Sequence, residues 1–163
     1  MPEEVQPIVE TPSTEQFQIQ LTDGRKVYQS DEEEFGQCFY AVLALLAWNK
    51  TFNVKSDLSL TFTTITDEER QALLKNVREW ADSNNASGQM FEAYMTKLNL
   101  AYYLTVIQVQ GSVINLREKP VEDRIMYLSK MPEQALNFYG MYNFIFNEIV
   151  RRALIEPLTL KNS

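Results

Sequence analysis

Apolar residues recur every three or four positions over most of the chain, a spacing that places them on one face of an α-helix. The pattern is strongest near the C-terminus, where we predict a long helix that ends at Pro157, because proline cannot continue a helix. Met141 and Phe144 lie off the main stripe and are either a second core contact, which we favour, or an exposed patch. The stripe itself consists of Ala135, Phe138, Tyr139, Tyr142, Ile145, Phe146 and Ile149.

Two capping boxes predict where earlier helices begin. In such a box a Ser or Thr accepts a hydrogen bond from the backbone three residues on, and a Glu there reaches back. Ser30-Asp31-Glu32-Glu33 predicts a helix that runs to about Asn49, and Thr66-Asp67-Glu68-Glu69 predicts one that ends in the turn-forming residues 82–85. The β-branched and polar stretch 51–65 is expected to be a loop with at most one short strand.

The second half of the chain predicts two further helices before the C-terminal one. A long amphipathic pattern begins at Ser87 and is expected to continue to Val109, with a break at Gly111. Pro120 then suits the start of a helix, where its missing N–H costs nothing. We predict a short helix over Val121 to Lys130.

The N-terminal region alternates between apolar and polar residues, as Leu58 to Phe62 also does within the expected loop. Phe17 to Leu21 and Lys26 to Gln29 flank Asp23-Gly24, a dipeptide typical of tight hairpin turns. The fold class predicted is therefore mainly α: a helical domain of about five helices with a small N-terminal β-hairpin. We expect a flexible arm over 1–15, one helical domain over 16–158 with the hairpin at 16–29, and a flexible tail over 159–163.

The inventory of reactive side chains is small. The 163 residues include no histidine and one cysteine, which excludes Ser-His or Cys-His nucleophile pairs and histidine metal sites. Cys38 lies in an apolar helix and is interpreted as a small core residue. Glu122 and Asp123 are adjacent and point in different directions on a helix, so a surface role is favoured over acid–base catalysis. We predict no catalytic residue, no cofactor and no metal ligand.

The net charge and the length of the longest apolar run indicate whether the protein binds nucleic acid or a membrane. A formal charge of −7 disfavours nucleic-acid binding, which needs clustered Lys and Arg. The longest apolar run, Cys38 to Trp48, is shorter than the roughly 20 residues of a spanning helix, and the acidic N-terminus does not resemble a secretory signal. We therefore expect that the protein does not associate with a membrane and is soluble in the compartment where it is made.

Aromatic side chains make up 12% of the residues and are the feature of the sequence that indicates a function. One interpretation is a well-filled helical core. The other is a groove for an apolar, helical segment of a partner protein, because Tyr, Trp, Phe and Met are enriched at interface cores. On that interpretation the candidate partner-binding residues are Met141, Phe144, Tyr103 and Trp80.

A series of short motifs follows the order of the predicted elements: Asp23-Gly24, Ala101-Tyr102-Tyr103-Leu104, Val106-Ile107, Gly111, Pro120 to Ile125, Leu128 and Met131-Pro132. This order resembles the assembly chaperones of tailed bacteriophages, including those of baseplate hubs and tape-measure proteins. The resemblance implies a small, acidic, mostly helical protein that holds an aggregation-prone tail component until assembly, in the host cytoplasm. It covers about residues 17–155, and no functional residue is carried over from it.

The function expected from these observations is a non-enzymatic chaperone or adaptor of a phage tail or baseplate. Its partner would be another tail or baseplate protein, bound through an apolar helix. One alternative is a structural component of the tail, baseplate or neck that remains in the virion. A second alternative is a small enzyme that uses carboxylates and an external cofactor.

Overall fold

A four-stranded antiparallel sheet, packed against helices, forms the centre of the fold. The computed structural model describes residues 17–20, 26–30, 32–44, 47–85 and 87–160, and side chains within 34–155 of those ranges. Its elements are β1 (Phe17–Gln20), β2 (Lys26–Ser30), α1 (Glu32–Leu43), β3 (Asn49–Lys55), β4 (Leu58–Thr63), α2 (Asp67–Asn84), α3 (Gln89–Tyr103), β5 (Leu104–Val109), β6 (Ser112–Asn115), α4 (Val121–Ser129) and α5 (Glu133–Leu160).

The central sheet shows that the prediction of a mainly α fold is wrong. Its strands lie in the order β3-β4-β5-β6, and all pairs are antiparallel. β1 and β2 do pair in the predicted N-terminal position, but this two-stranded unit is not the sheet that defines the fold. The number of helices, five within the described residues, is as predicted.

Three local predictions are wrong. The first helix ends at Leu43 and not near Asn49, and Trp48 already pairs with Thr64 beside the sheet. The stretch 51–65, expected to be a loop with at most one short strand, contains most of β3 and all of β4. The helix from 87 ends at Tyr103, since the β-branched residues that follow favour a strand although they also continue the helical spacing.

Other local predictions are confirmed. The Thr66 hydroxyl accepts from the Glu69 N–H at 3.1 Å, while the Glu69 carboxylate accepts from the Thr66 N–H at 3.2 Å. α4 follows Pro120 as expected. α5 forms as predicted but continues to Leu160, so the prediction that Pro157 ends it is wrong. The φ angle of proline, about −65°, is compatible with a helix, and Pro157 removes only the one N–H bond to the carbonyl four residues before it.

Several predicted features lie outside the described residues. These are the arm over 1–15, the Asp23-Gly24 turn, Asp31 of the first capping box, and the last three residues of the tail.

One face of the sheet carries the main core. Register places Phe52, Leu60, Ile107 and Ile114 in a row across the four strands, and α5 packs on this face. The ring of Phe146 stacks between Trp48, with centroids 5.4 Å apart, and Phe62, at 5.7 Å. These aromatic contacts fix the long helix against the sheet.

A second, smaller core joins α2 to α3. Leu73 and Val77 of α2 pack on Leu98 and Tyr102 of α3, and all four are buried. Asn76 adds a hydrogen bond of 3.2 Å from its side chain to the Tyr102 hydroxyl. The side chain of Tyr103 contacts both cores.

Candidate functional site

The site begins with the stripe of α2 that forms the second core. Leu73 and Val77 are buried, and Trp80, three residues further on, reaches the edge of the same face and is partly exposed. A helix repeat of 3.6 residues puts these three positions on one side. The fold therefore places an indole ring where the second core meets solvent.

Trp80 stacks on Tyr94 of α3. The ring centroids are 4.1 Å apart and the planes differ by 7°. The ammonium of Lys97 lies 5.6 Å from the centroid of the Tyr94 ring, within the range of a cation–π contact. Burial raises the pKa of the Tyr94 hydroxyl above its usual value, so this phenol is neutral at physiological pH.

The stacked pair separates two clefts. The first, which we call the methionine cleft, has a volume of about 380 Å³. Its lining is mostly apolar, and Met90 within it is 60% exposed. Methionine adapts to differently shaped partners because its side chain is unbranched and flexible. Besides the stacked rings, the cleft is lined by Met90, Ala93, Lys97, Met131, Glu133 and Leu136.

The second, which we call the acidic cleft, lies on the other side of the stack and has a volume of about 320 Å³. Its charged lining residues, among those the structure describes, are Glu79 of α2 and Glu122 of α4. Both are exposed. A segment that crosses the stack would meet a mostly apolar lining, with one lysine and one glutamate, on one side and two carboxylates on the other.

The four candidate residues predicted from sequence lie in different places. Trp80 lines both clefts. Met141 and Tyr103 are partly buried against the main core, and the Tyr103 ring lies 6.3 Å from that of Phe146. Phe144 is 46% exposed and lines a separate groove between α3 and α5. The described clefts do not bring the four together.

Sequence analysis missed Tyr94 and Met90 as members of a site, because both fitted the apolar stripe of α3. The available signal was the excess of large apolar residues on that helix, more than one buried face needs. Pairing Tyr94 with Trp80 required the packing of α2 on α3, which the sequence pattern does not give.

Cys38 is a core residue, as interpreted from the sequence. Its side chain is 0% exposed. Burial, and secondarily the nearby carboxylate of Glu34, raises the pKa of the thiol to about 12. The reactive thiolate is therefore scarce at neutral pH.

The described residues contain no group of three or more His, Cys, Asp or Glu side chains placed to hold a metal ion. Glu122 and Asp123 are exposed in the first turn of α4. Among the helices in the part of the chain that the structure describes, none combines the length and the apolar character needed to cross a membrane.

Compared with protein-family models, with curated proteins and with solved structures, the chain matches none. The resemblance to tail-assembly chaperones therefore stays a prediction from the sequence.

Proposed function

We propose that this chain is a non-enzymatic binding protein, a chaperone or adaptor, that holds an apolar helical segment of another protein. The observation that carries the proposal is the Trp80–Tyr94 stack, half open to solvent between the methionine and acidic clefts. Tryptophan, tyrosine and methionine are enriched at protein interfaces, and a helix docks in such a groove through apolar side chains three or four residues apart.

The charges along the clefts indicate the composition of the bound helix. Glu79 and Glu122 lie on one side of the stack. The other side is dominated by Met90, Met131 and Leu136, and its two described charged residues, Lys97 and Glu133, have opposite signs. The partner helix is therefore amphipathic, with an apolar stripe against the methionines and Lys or Arg beside the carboxylates. Complementary charges of this kind raise the association rate and fix the register of the bound helix more than they raise the affinity.

The biological setting that we propose is the one implied by the family resemblance. The partner would be another phage tail or baseplate protein, and binding would take place in the host cytoplasm during assembly. A chaperone is expected to be absent from finished particles, whereas a structural component would appear in particle mass spectrometry at a symmetry-related copy number.

A designed helical peptide tests the binding mode directly. The probe is a fluorescein-labelled peptide with leucines at i, i+3, i+4 and i+7 and lysines elsewhere, measured by fluorescence anisotropy. Trp80→Ala should weaken binding roughly tenfold or more, the range of an interface hot spot. Tyr40→Ala removes an aromatic side chain that is 72% exposed on α1 and should leave the affinity within about twofold.

Because Trp80→Ala could lose binding by misfolding, a second variant reverses a charge at an exposed position. Glu79 is exposed, so Glu79→Lys should fold normally. It should weaken binding of the lysine peptide and strengthen binding of a peptide with glutamates in place of the lysines. Absence of peptide binding, equal losses in Tyr40→Ala and Trp80→Ala, or insensitivity to the charge swap would refute the proposal.

A further inference from the structure

A groove between α3 and α5 is lined only by uncharged residues. Its volume is about 320 Å³, which is within the range of small-molecule sites. Four carboxamide side chains converge on it, from Asn99, Asn137, Asn143 and Asn147, and Phe144 forms part of its wall. Charged residues make up 23% of the whole chain, and the exposed Glu92 and Arg151 lie on the same two helices without lining the groove.

Asn143 is the best indication that the groove receives a ligand. Its residue is only 6% exposed, and its Oδ1 accepts from Asn147 Nδ2 at 3.2 Å. Its own Nδ2 makes no hydrogen bond to a described residue. Every fully buried side-chain nitrogen or oxygen of the described residues has a partner, so this amide nitrogen is not fully buried. Asn143 lines the groove, and a ligand there can accept a hydrogen bond from the amide in place of water.

The other carboxamides leave further hydrogen-bonding capacity facing the groove. Asn99 donates to the Met95 carbonyl at 2.9 Å, which leaves its Oδ1 with no partner among the described residues. Asn137 is exposed and has no side-chain hydrogen bond to a described residue. Each carboxamide offers two donors and an acceptor, which matches hydroxyl groups that both donate and accept. The exposed face of Phe144 suits an apolar ring surface.

We propose that this groove binds a neutral saccharide. The amides of Asn137, Asn143 and Asn99 would meet adjacent hydroxyls, and the phenyl ring of Phe144 would cover the apolar C–H face of the sugar. A charged ligand is disfavoured, because the lining offers no counter-ion and a charge that loses water without one is costly. The inference does not depend on the peptide-binding clefts beside Trp80.

The test is titration of the intact protein with sugars, followed in ¹H–¹⁵N spectra through the side-chain amide signals of asparagine. The neutral probes are glucose, galactose, N-acetylglucosamine and maltotriose, at millimolar concentration. Glucose 6-phosphate and glucosamine are the charged counterparts, and the cationic glucosamine separates the neutrality of the groove from the negative charge of the whole protein. At least one neutral sugar should shift the Asn137 and Asn143 signals, and bind roughly tenfold more tightly than either charged probe.

Variants at exposed positions localise the binding. Phe144→Ala and Asn137→Ala should each weaken it roughly tenfold, while both proteins keep the wild-type dispersion of backbone signals. Asn53→Ala, an exposed asparagine of β3 outside the groove lining, should bind as the wild type does. The inference is overturned if no neutral sugar shifts the groove amides, if charged sugars bind equally well, or if the two groove variants bind normally.

Discussion

At the scale of single residues, the close packing of α5 against α3 depends on one glycine. A Cβ built on Gly140 of α5 would lie 2.9 Å from the Cγ2 atom of Thr96 in α3. Real Cβ atoms do not approach carbon so closely, and threonine is stiff about χ1 because it is branched at Cβ. Gly140 is thus required by packing, although glycine is otherwise unfavourable inside a helix.

Gly140→Ala should therefore lower the free energy of unfolding by on the order of 1 kcal/mol, since overpacking outweighs the gain in helix propensity. Urea denaturation measures the change. In a Thr96→Ser background, which removes Cγ2, the same substitution should become neutral or stabilising.

Gly36 provides the control for this experiment. It lies inside α1 with nothing within 4 Å of the added Cβ, so Gly36→Ala should stabilise by up to about 1 kcal/mol. Stabilisation by Gly140→Ala in the wild-type background would contradict the packing argument.

At the scale of elements, Arg124 joins α4 to the end of α3. Its guanidinium donates to three backbone carbonyls: Lys119 at 2.8 Å, Arg117 at 3.1 Å and Ala101 at 3.2 Å. Ala101 lies in the last turn of α3, where carbonyls lack a partner within the helix and a cation is favourable. Sequence analysis gave no sign of this role.

Arg124→Lys should lower the free energy of unfolding by about 1–2 kcal/mol, because a single ammonium cannot reproduce the planar fork of the guanidinium. Chemical denaturation of the variant measures the loss. The matched control is Arg78→Lys on the exposed side of α2, which should change stability by less than about 0.5 kcal/mol. Equal stability of the two variants would show that the three hydrogen bonds contribute nothing.

Within α5, Glu148 carries a pH-dependent contribution. Its carboxylate accepts two hydrogen bonds from Arg151, at 2.9 and 3.0 Å. These bonds, opposed by partial burial and aided by the charges of Arg151 and Arg152, lower the pKa of Glu148 below its usual 4.5. As the pH falls, the unfolded chain takes up this proton first, so the contribution is present above the ordinary glutamate pKa and is lost as pH falls through the folded-state value.

Glu148→Gln should accordingly cost about 0.5 kcal/mol at neutral pH, the usual value of a surface pair, and the difference should shrink in acid. Thermal or urea unfolding at a series of pH values gives the comparison. In an Arg151→Met background the pH dependence of the difference should flatten. A difference that persists unchanged in acid would assign the effect to something other than ionisation.

The elements that sequence analysis found are those fixed by local signals. The Thr66–Glu69 box, the helix after Pro120 and the stripe of α5 are decided by residues within one or two turns of each other. The sheet was missed because its strands are stabilised by distant partners: Leu60, for example, pairs with Ile107. Leu104–Val109 fitted the helical period as well, and pairing with β4 decided between the two.

The candidate site was predictable to a smaller extent. Trp80 was identified because tryptophan is one of the residue types enriched at interface cores. Its stacking partner Tyr94, and the arrangement of asparagines between α3 and α5, depend on how the helices cross. Helix crossing is set by packing over the whole interface, which periodicity along the chain does not encode.

At the scale of the whole molecule, stability should be greatest in the strands that are hydrogen-bonded to a neighbour on both sides. β4 and β5 are the inner strands of the described four-stranded sheet, and β3 and β6 are its edges. Leu60, Phe62, Leu104 and Ile107 of the inner strands are almost fully buried. Local opening of β4 and β5 therefore requires disruption of the main core, whereas the edge strands can open separately.

Amide hydrogen exchange should show slowest exchange in β4, β5 and the middle of α5, and faster exchange in β3 and β6. Native-state exchange followed by NMR, averaged over each strand, measures this order. Faster exchange in β5 than in β3 would mean that the main core does not unfold as one unit.

The passage from α3 to β5 occurs without a connecting loop, since Leu104 both ends the helix and begins the strand. Strand side chains alternate between faces, so one residue added there would turn the core-facing side chains of β5 toward solvent. The two hairpin turns, between β3 and β4 and between β5 and β6, lie together at one end of the sheet and can change length without that penalty. We therefore expect proteins derived from the same ancestor to vary in the length of those turns while keeping an invariant spacing from Tyr94 to Ile107, and this spacing offers a search pattern for distant relatives.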